Sequence, residues 1–174
     1  MFCLCCKKQG VDVTTIGLDN AGKTAIIKLL AGTCNRSDAI KTTPTKSVDV
    51  LYKNIGNKKI SFWDCPGNES LRRYWSYQFE TSFCFIFVID AVDVKRFSEI
   101  SNILKQMASN THAMNKFIII LANKQDIGSA LSSAELEARI NFQSMNFAYK
   151  IIETSAISGL GIQTLYDTIK EKIA

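Results

Sequence analysis

The stretch Gly17-Leu18-Asp19-Asn20-Ala21-Gly22-Lys23-Thr24 decides how the rest of the chain is read. It has the form G-x-x-x-x-G-K-T. A short β-branched run, Val11 to Gly17, precedes it, and a segment with helical apolar spacing, Lys23 to Ala31, follows. Two glycines let the backbone turn tightly and approach a ligand closely. Successive backbone N–H groups form an anion nest, and the start of the next helix adds its positive dipole end. Lys23 supplies a mobile charge for β- and γ-phosphates, and the Thr24 hydroxyl is a hard oxygen suited to Mg²⁺. The candidate phosphate-binding set is therefore Asp19, Asn20, Ala21, Gly22, Lys23, Thr24 and Ala25. The motif by itself does not name the base.

Outward from this loop, strand-like and helix-like segments alternate. Val48–Ile55 and Lys59–Trp63 read as an antiparallel hairpin around Gly56-Asn57. The apolar runs Phe83–Ile89 and Lys116–Ala122 read as strands buried on both faces, and Tyr149–Glu153 as the last strand. Helices are expected at Lys23–Ala31, near Leu71–Phe79, over Asp93–Asn110, after Ser132/Ser133 with Glu135, and over Gly161–Ile173, with Asn35–Lys46 a polar loop. The pattern is that of an α/β fold, a mostly parallel sheet with one antiparallel strand.

A length of 174 residues suits one domain, expected over 11–174 with 1–10 as an N-terminal segment. With 47% hydrophobic and 21% charged residues, the composition is that of a folded globular chain. The net charge of +5 is scattered, which fits a phosphate ligand or an anionic membrane and argues against a nucleic-acid footprint. Of six cysteines, Cys3, Cys5 and Cys6 crowd the first residues, without zinc spacing. A reducing compartment is the simpler reading than a disulfide framework. There is no long apolar signal region, and no run reaches the ~20 apolar residues of a membrane span.

Asn123-Lys124-Gln125-Asp126 follows a buried strand. A carboxylate there selects guanine over adenine, because Asp126 accepts from both N1–H and the exocyclic amine. Asn123 reaches the N7 edge and bridges loops, and the Lys124 stem lies over the purine ring. A backbone N–H in Ser155-Ala156-Ile157 donates to O6, although a plain turn or a helix N-cap explains Ser155-Ala156 as well. A P-loop kinase or ATPase is disfavoured by Asp126.

Only two prolines occur, Pro44 and Pro66, and both fall in loops that would flank a γ-phosphate. Thr45 is placed to complete the magnesium shell with Thr24 when a third phosphate is present, Asp64 to hold Mg²⁺ through water, and the Gly67 N–H to bind the γ-phosphate; the other reading is prolines that only rigidify turns and Thr45 as a surface hydroxyl. Two loops tied to one phosphate make a switch released on hydrolysis.

These motifs, with Thr43-Pro44-Thr45, Trp63-Asp64 and Phe87-Val88-Ile89-Asp90, resemble an Arf-family small GTPase of the Arf-like type over about residues 11–174. The resemblance implies a six-stranded mixed sheet with about five helices, a GDP/GTP cycle with Mg²⁺, and a monomer. It also implies exchange factors, activating proteins and effectors, and roles in membrane traffic or cilia. The catalytic set it implies is Lys23, Thr45, Gly67 and Asn68.

The departures from the family pattern are specific. Asp64-Cys65-Pro66-Gly67-Asn68 stands where the family has Asp-x-Gly-Gly-Gln. An Asp-Cys-Pro-Gly stretch also resembles the corresponding loop of translational GTPases, so the bend is feasible. Asn68 is one methylene shorter than the glutamine that orients water, which implies slow intrinsic hydrolysis. The alternative is a GTP-loaded recruitment scaffold with negligible turnover. Lys46-Ser47-Val48 and Gln78 alter the usual effector patch, while Trp63 remains.

Phe2 excludes N-myristoylation. The cysteines beside Lys7 and Lys8 instead suit S-palmitoylation with basic support, giving a cytoplasmic, peripherally membrane-associated protein. A tail with incidental cysteines is the other reading.

Overall fold

Strand β4, Cys84–Asp90, is buried along its whole length, and the sheet is built around it. The computed structural model describes residues 10–39 and 41–174. The other strands are β1 Val11–Ile16, β2 Asp49–Ile55, β3 Lys58–Asp64, β5 Phe117–Asn123 and β6 Tyr149–Glu153. The order across the sheet is β2-β3-β1-β4-β5-β6. Only β2 and β3 pair antiparallel, through the turn at Gly56-Asn57; all other pairs are parallel. This is the six-stranded, mostly parallel sheet of a P-loop small GTPase.

Alternation along the strands divides the core in two. Phe85, Phe87 and Ile89 of β4 join Ile118 and Ile120 of β5 on one face. There they meet Trp75 and Phe79, and Leu104 and Met107 of the helix Phe97–Ser109. Cys84, Ile86 and Val88 point to the other face, with Ile119 and Leu121, against the helices Lys23–Ala31 and Ile162–Ile173. Two covered faces explain why β4 and β5 read as unbroken apolar runs.

Among the described residues there are six α-helices: α1 Lys23–Ala31, α2 Arg36–Ala39, α3 Ser76–Thr81, α4 Phe97–Ser109, α5 Ser133–Ile140 and α6 Ile162–Ile173. Helix α1 buries Ala25, Ile26, Ile27 and Leu30 and stops at Gly32, whose φ of 75° suits a left-handed cap. Helix α5 opens with the reciprocal Ser132–Glu135 capping box.

Three local expectations need correction. The polar segment Asn35–Lys46 carries α2, because the Asn35 side chain accepts from the Asp38 N–H at 3.0 Å and starts a turn. The helix expected near Leu71–Phe79 divides into a 3₁₀ turn, Glu69–Trp75, and α3. The one expected over Asp93–Asn110 begins at Phe97, after a 3₁₀ turn at Val94–Arg96. Cys3, Cys5 and Cys6, with Lys7 and Lys8, lie outside the described residues.

Because β1, β3, β4, β5 and β6 run the same way, their C-terminal ends share one edge. The register sets Thr15 beside Asp64, Asp90 beside Asn123, and Ala122 beside Glu153. Strand β1 lies between β3 and β4, so chain connections leave in opposite directions at its C-terminal end. That is the point where open α/β sheets form a ligand crevice.

Candidate functional site

The Gly17–Thr24 loop leaves β1 at that crevice with three positive-φ residues: Gly17 at 138°, Asn20 at 60° and Gly22 at 94°. A Cβ at Gly17 would strike the Val88 carbonyl, and one at Gly22 would strike the Asn123 side-chain amide. Both glycines are therefore fixed by close approach as well as by backbone conformation. The Asn123 amide donates to the Ala21 carbonyl at 2.8 Å, and its oxygen accepts from the Thr154 hydroxyl at 3.2 Å.

An open cavity of about 390 Å³ lies over this loop, lined among others by Asn20, Lys23, Thr24, Thr45, Gly67 and Asn68. Lys23 is buried, and its ammonium donates to the Leu18 carbonyl at 2.8 Å. Burial pulls its pKa down to about 8, against the opposing pull of Asp64 and Asp19. Asp64 is buried too, and burial raises its pKa, although the Thr24 hydroxyl and Lys23 favour its charged form. Both shifts record charges short of compensation, which an anion beside Lys23 and a cation beside Asp64 would supply.

The metal question turns on oxygen donors. The Thr24 hydroxyl donates to Asp64 Oδ2 at 2.5 Å and lies 2.9 Å from the Thr45 hydroxyl. Asp64 Oδ1 is buried with no hydrogen-bond partner. No cluster of three His, Cys, Asp or Glu side chains occurs among the described residues. One carboxylate and two hydroxyls make a poor all-protein cage. They are a fitting donor set for Mg²⁺, which keeps waters and takes phosphate oxygens as ligands.

Gly67 lies directly against the phosphate loop. A Cβ there would come within 2.5 Å of Lys23 Nζ and would also collide with the Leu18–Asp19 peptide. Asn68, which follows it, engages its side chain locally. Its side-chain oxygen accepts from the Ser70 N–H at 3.1 Å and the Ser70 hydroxyl at 2.9 Å, capping the 3₁₀ turn.

The segments 123–126 and 154–157 meet beside the loop. Lys124 has φ 72°, and its ammonium pairs with Asp90 Oδ2 at 2.6 Å. Asp126 Oδ1 accepts from the Ser155 hydroxyl at 2.5 Å. Ser155 and Ala156 are buried, whereas Ile157 is 54% exposed and adds no side-chain wall. Ala25 turns its side chain into the core, so only its backbone faces the loop.

Sequence reasoning placed Asp90 and Thr154 in motifs but assigned them no partner, and it missed the hydroxyl role of Ser155. Asp90 and Thr154 each end a buried strand, and that position was the signal available. A larger cavity, about 680 Å³, lies between α4 and the segment 69–79. It lacks the strained loop and the converging oxygens, so the smaller one is the candidate site. Burial holds the Cys65 and Cys84 thiols up at about 12, which leaves both inert.

Fold and site define the class as a P-loop small GTPase. The chain belongs to the ADP-ribosylation factor family, whose model matches residues 2–173. It is 32% identical over 158 residues to the ADP-ribosylation factor-like protein alp41 of Schizosaccharomyces pombe, covering 90% of this chain and 83% of that one. It is 35% identical over 154 residues to ADP-ribosylation factor-like protein 3 of Caenorhabditis elegans, covering 87% and 82%. The Arl6 BBS3 small GTPase of Trypanosoma brucei, solved with the nucleotide analogue GppNp, superposes with a TM-score of 0.83 at 20% identity, over 95% of this chain and 100% of that one. That likeness concerns the fold. Family membership makes the chain a guanine-nucleotide-binding switch of the GTP-hydrolysing class.

Gly22→Ala combines a left-handed-backbone cost with loss of the Asn123 amide contact, each about 1–2 kcal/mol. Equilibrium binding of a fluorescent guanine nucleotide should weaken by at least about tenfold. Unchanged affinity would show that the close packing at Gly22 is not needed to form the loop.

Proposed function

We propose that this protein is a magnesium-dependent GTP/GDP switch of the Arf-like type, acting in membrane traffic or in ciliary or other protein trafficking, with slow intrinsic hydrolysis. The observation that carries the metal-dependent reading is the meeting of Thr24, Thr45 and Asp64 beside Lys23, with Asp64 Oδ1 left without a partner. Thr24, Thr45 and Asp64 would hold Mg²⁺, which when bound neutralises charge on the phosphate oxygens. Lys23 and the loop amides from Asp19 to Ala25 bind the phosphates. The Gly67 N–H meets the third phosphate. Asn123, Lys124 and Asp126, with the backbone of Ser155, Ala156 and Ile157, read the guanine.

Slow hydrolysis follows from Asn68. Its amide is short, and its oxygen is already engaged in capping the 3₁₀ turn. This same observation favours the second reading, a GTP-loaded scaffold that recruits partners and hardly turns over.

An exchange factor, an activating protein and effectors complete the cycle of a monomer. The effector patch has its own chemistry. Lys46-Ser47-Val48 and Gln78 bring polar groups to it, while Trp63 remains. Palmitoylation of Cys3, Cys5 and Cys6 beside Lys7 and Lys8 would supply peripheral membrane attachment.

Three measurements test this reading. Chelating magnesium should speed release of bound fluorescent GDP by about tenfold or more, because Thr24 and Asp64 lose the cation that ties them to the phosphates. Release indifferent to chelation, or ATP competing as well as GTP, would sink it. In a single-turnover assay Asn68→Gln should hydrolyse GTP about tenfold faster than wild type; a variant no faster removes the short side chain as the limit. Replacing Cys3, Cys5 and Cys6 by serine should move the cellular protein from the membrane to the soluble fraction, and an unchanged distribution would exclude the anchor.

A further inference from the structure

Gly67 is flanked by two peptide planes, and a different side chain grips each. The Pro66 carbonyl accepts from the Trp75 indole N–H at 2.9 Å. The Gly67 carbonyl accepts from Arg72 Nε at 2.8 Å. Both planes are trans, so carbonyl and N–H point opposite ways across each. Holding the Pro66 oxygen toward Trp75 therefore turns the Gly67 N–H away from that ring, and Gly67 itself lines the cavity over the phosphate loop. Trp75 is 4% exposed and packed in the core cluster, so its indole is a fixed donor.

Arg72 extends this grip. Its side chain is 15% exposed, and its NH1 donates to Glu99 Oε1 in the first turn of α4 at 2.5 Å. Its NH2 lies 3.9 Å from Asp19 in the phosphate loop. Arg96, just before α4, holds the same Asp19 by its carboxylate at 3.0 Å and its carbonyl at 3.1 Å. The two loops that face the cavity are thus referred to one rigid element by two arginines. A fork of fixed planar geometry suits this task, since one guanidinium reaches several acceptors at once.

We propose that Trp75 and Arg72 are positioning residues that aim the Gly67 amide at the third phosphate, so that they set the preference for nucleoside triphosphate over diphosphate. Neither touches the nucleotide; each acts through the Gly67 backbone. Glu99 supports Arg72. This rests on the reading that the Gly67 N–H is a γ-phosphate donor. A diphosphate does not reach that amide and is indifferent to its orientation.

The test compares release of fluorescent GDP and of a fluorescent non-hydrolysable GTP analogue from the full chain with magnesium. Trp75→Phe keeps the ring and loses the donor; Arg72→Ala loses the fork; Glu99→Gln loses its charged support. Each should speed release of the analogue by about fivefold to tenfold, the worth of one hydrogen bond, while GDP release stays within about twofold. Arg72→Lys, with one donor in place of the fork, should recover part of the loss. Should Trp75→Phe fail to fold, the Arg72 and Glu99 variants carry the comparison alone. Equal acceleration of both nucleotides, or of neither, overturns the assignment and leaves the nucleotide reading standing. A wild-type chain that holds neither nucleotide sinks both.

Discussion

The buried amide of Asn123 spans from the Ala21 carbonyl to the Thr154 hydroxyl. It joins the phosphate loop, the end of β5 and the end of β6 in a single network at 2% exposure. Gly22 has room for no side chain because this amide occupies the space. A buried amide with a partner on each side contributes stability, and with either partner missing it would cost about 1–3 kcal/mol. The separate motifs therefore have to arrive together, and the parallel sheet that delivers three strand ends to one edge makes this possible.

On the other side of β1, the geometry is governed by unbalanced charge. Lys23 and Asp64 are both buried, and each has its pKa moved by desolvation toward the neutral form. The fold holds them close to hydroxyls and backbone rather than fully neutralising them. Stability withheld in this way is available to a ligand carrying phosphates and a cation. Lys23 faces a cavity that Thr45 and Gly67 also line, from loops rather than from the sheet.

The segment from Pro66 to Trp75 shows how a loop can be both precise and releasable. Its peptide planes are held by side chains that follow in the same segment, Arg72 and Trp75. The 3₁₀ turn that carries them is capped by Asn68. Local contacts cost little chain entropy to form. The ion pair to Glu99 then fixes the segment to α4.

The glycine loop, the hairpin and the buried strands were legible in the sequence. Each depends on local chemistry: glycine where φ is positive, a tight turn between paired strands, and unbroken apolar runs where both faces are covered. The break of the 71–79 segment into a 3₁₀ turn and α3 was not legible, because it follows from the Asn68 cap and from Trp75 reaching back to Pro66. Asp90 as the partner of Lys124, and Ser155 as the donor to Asp126, were hidden for a related reason. Each pair joins strand ends that become neighbours only when the sheet forms. Sequence by itself determined which groups are present and which backbone conformations are allowed. The tertiary structure decided which groups face one another, because register and strand order set distances that no local propensity encodes.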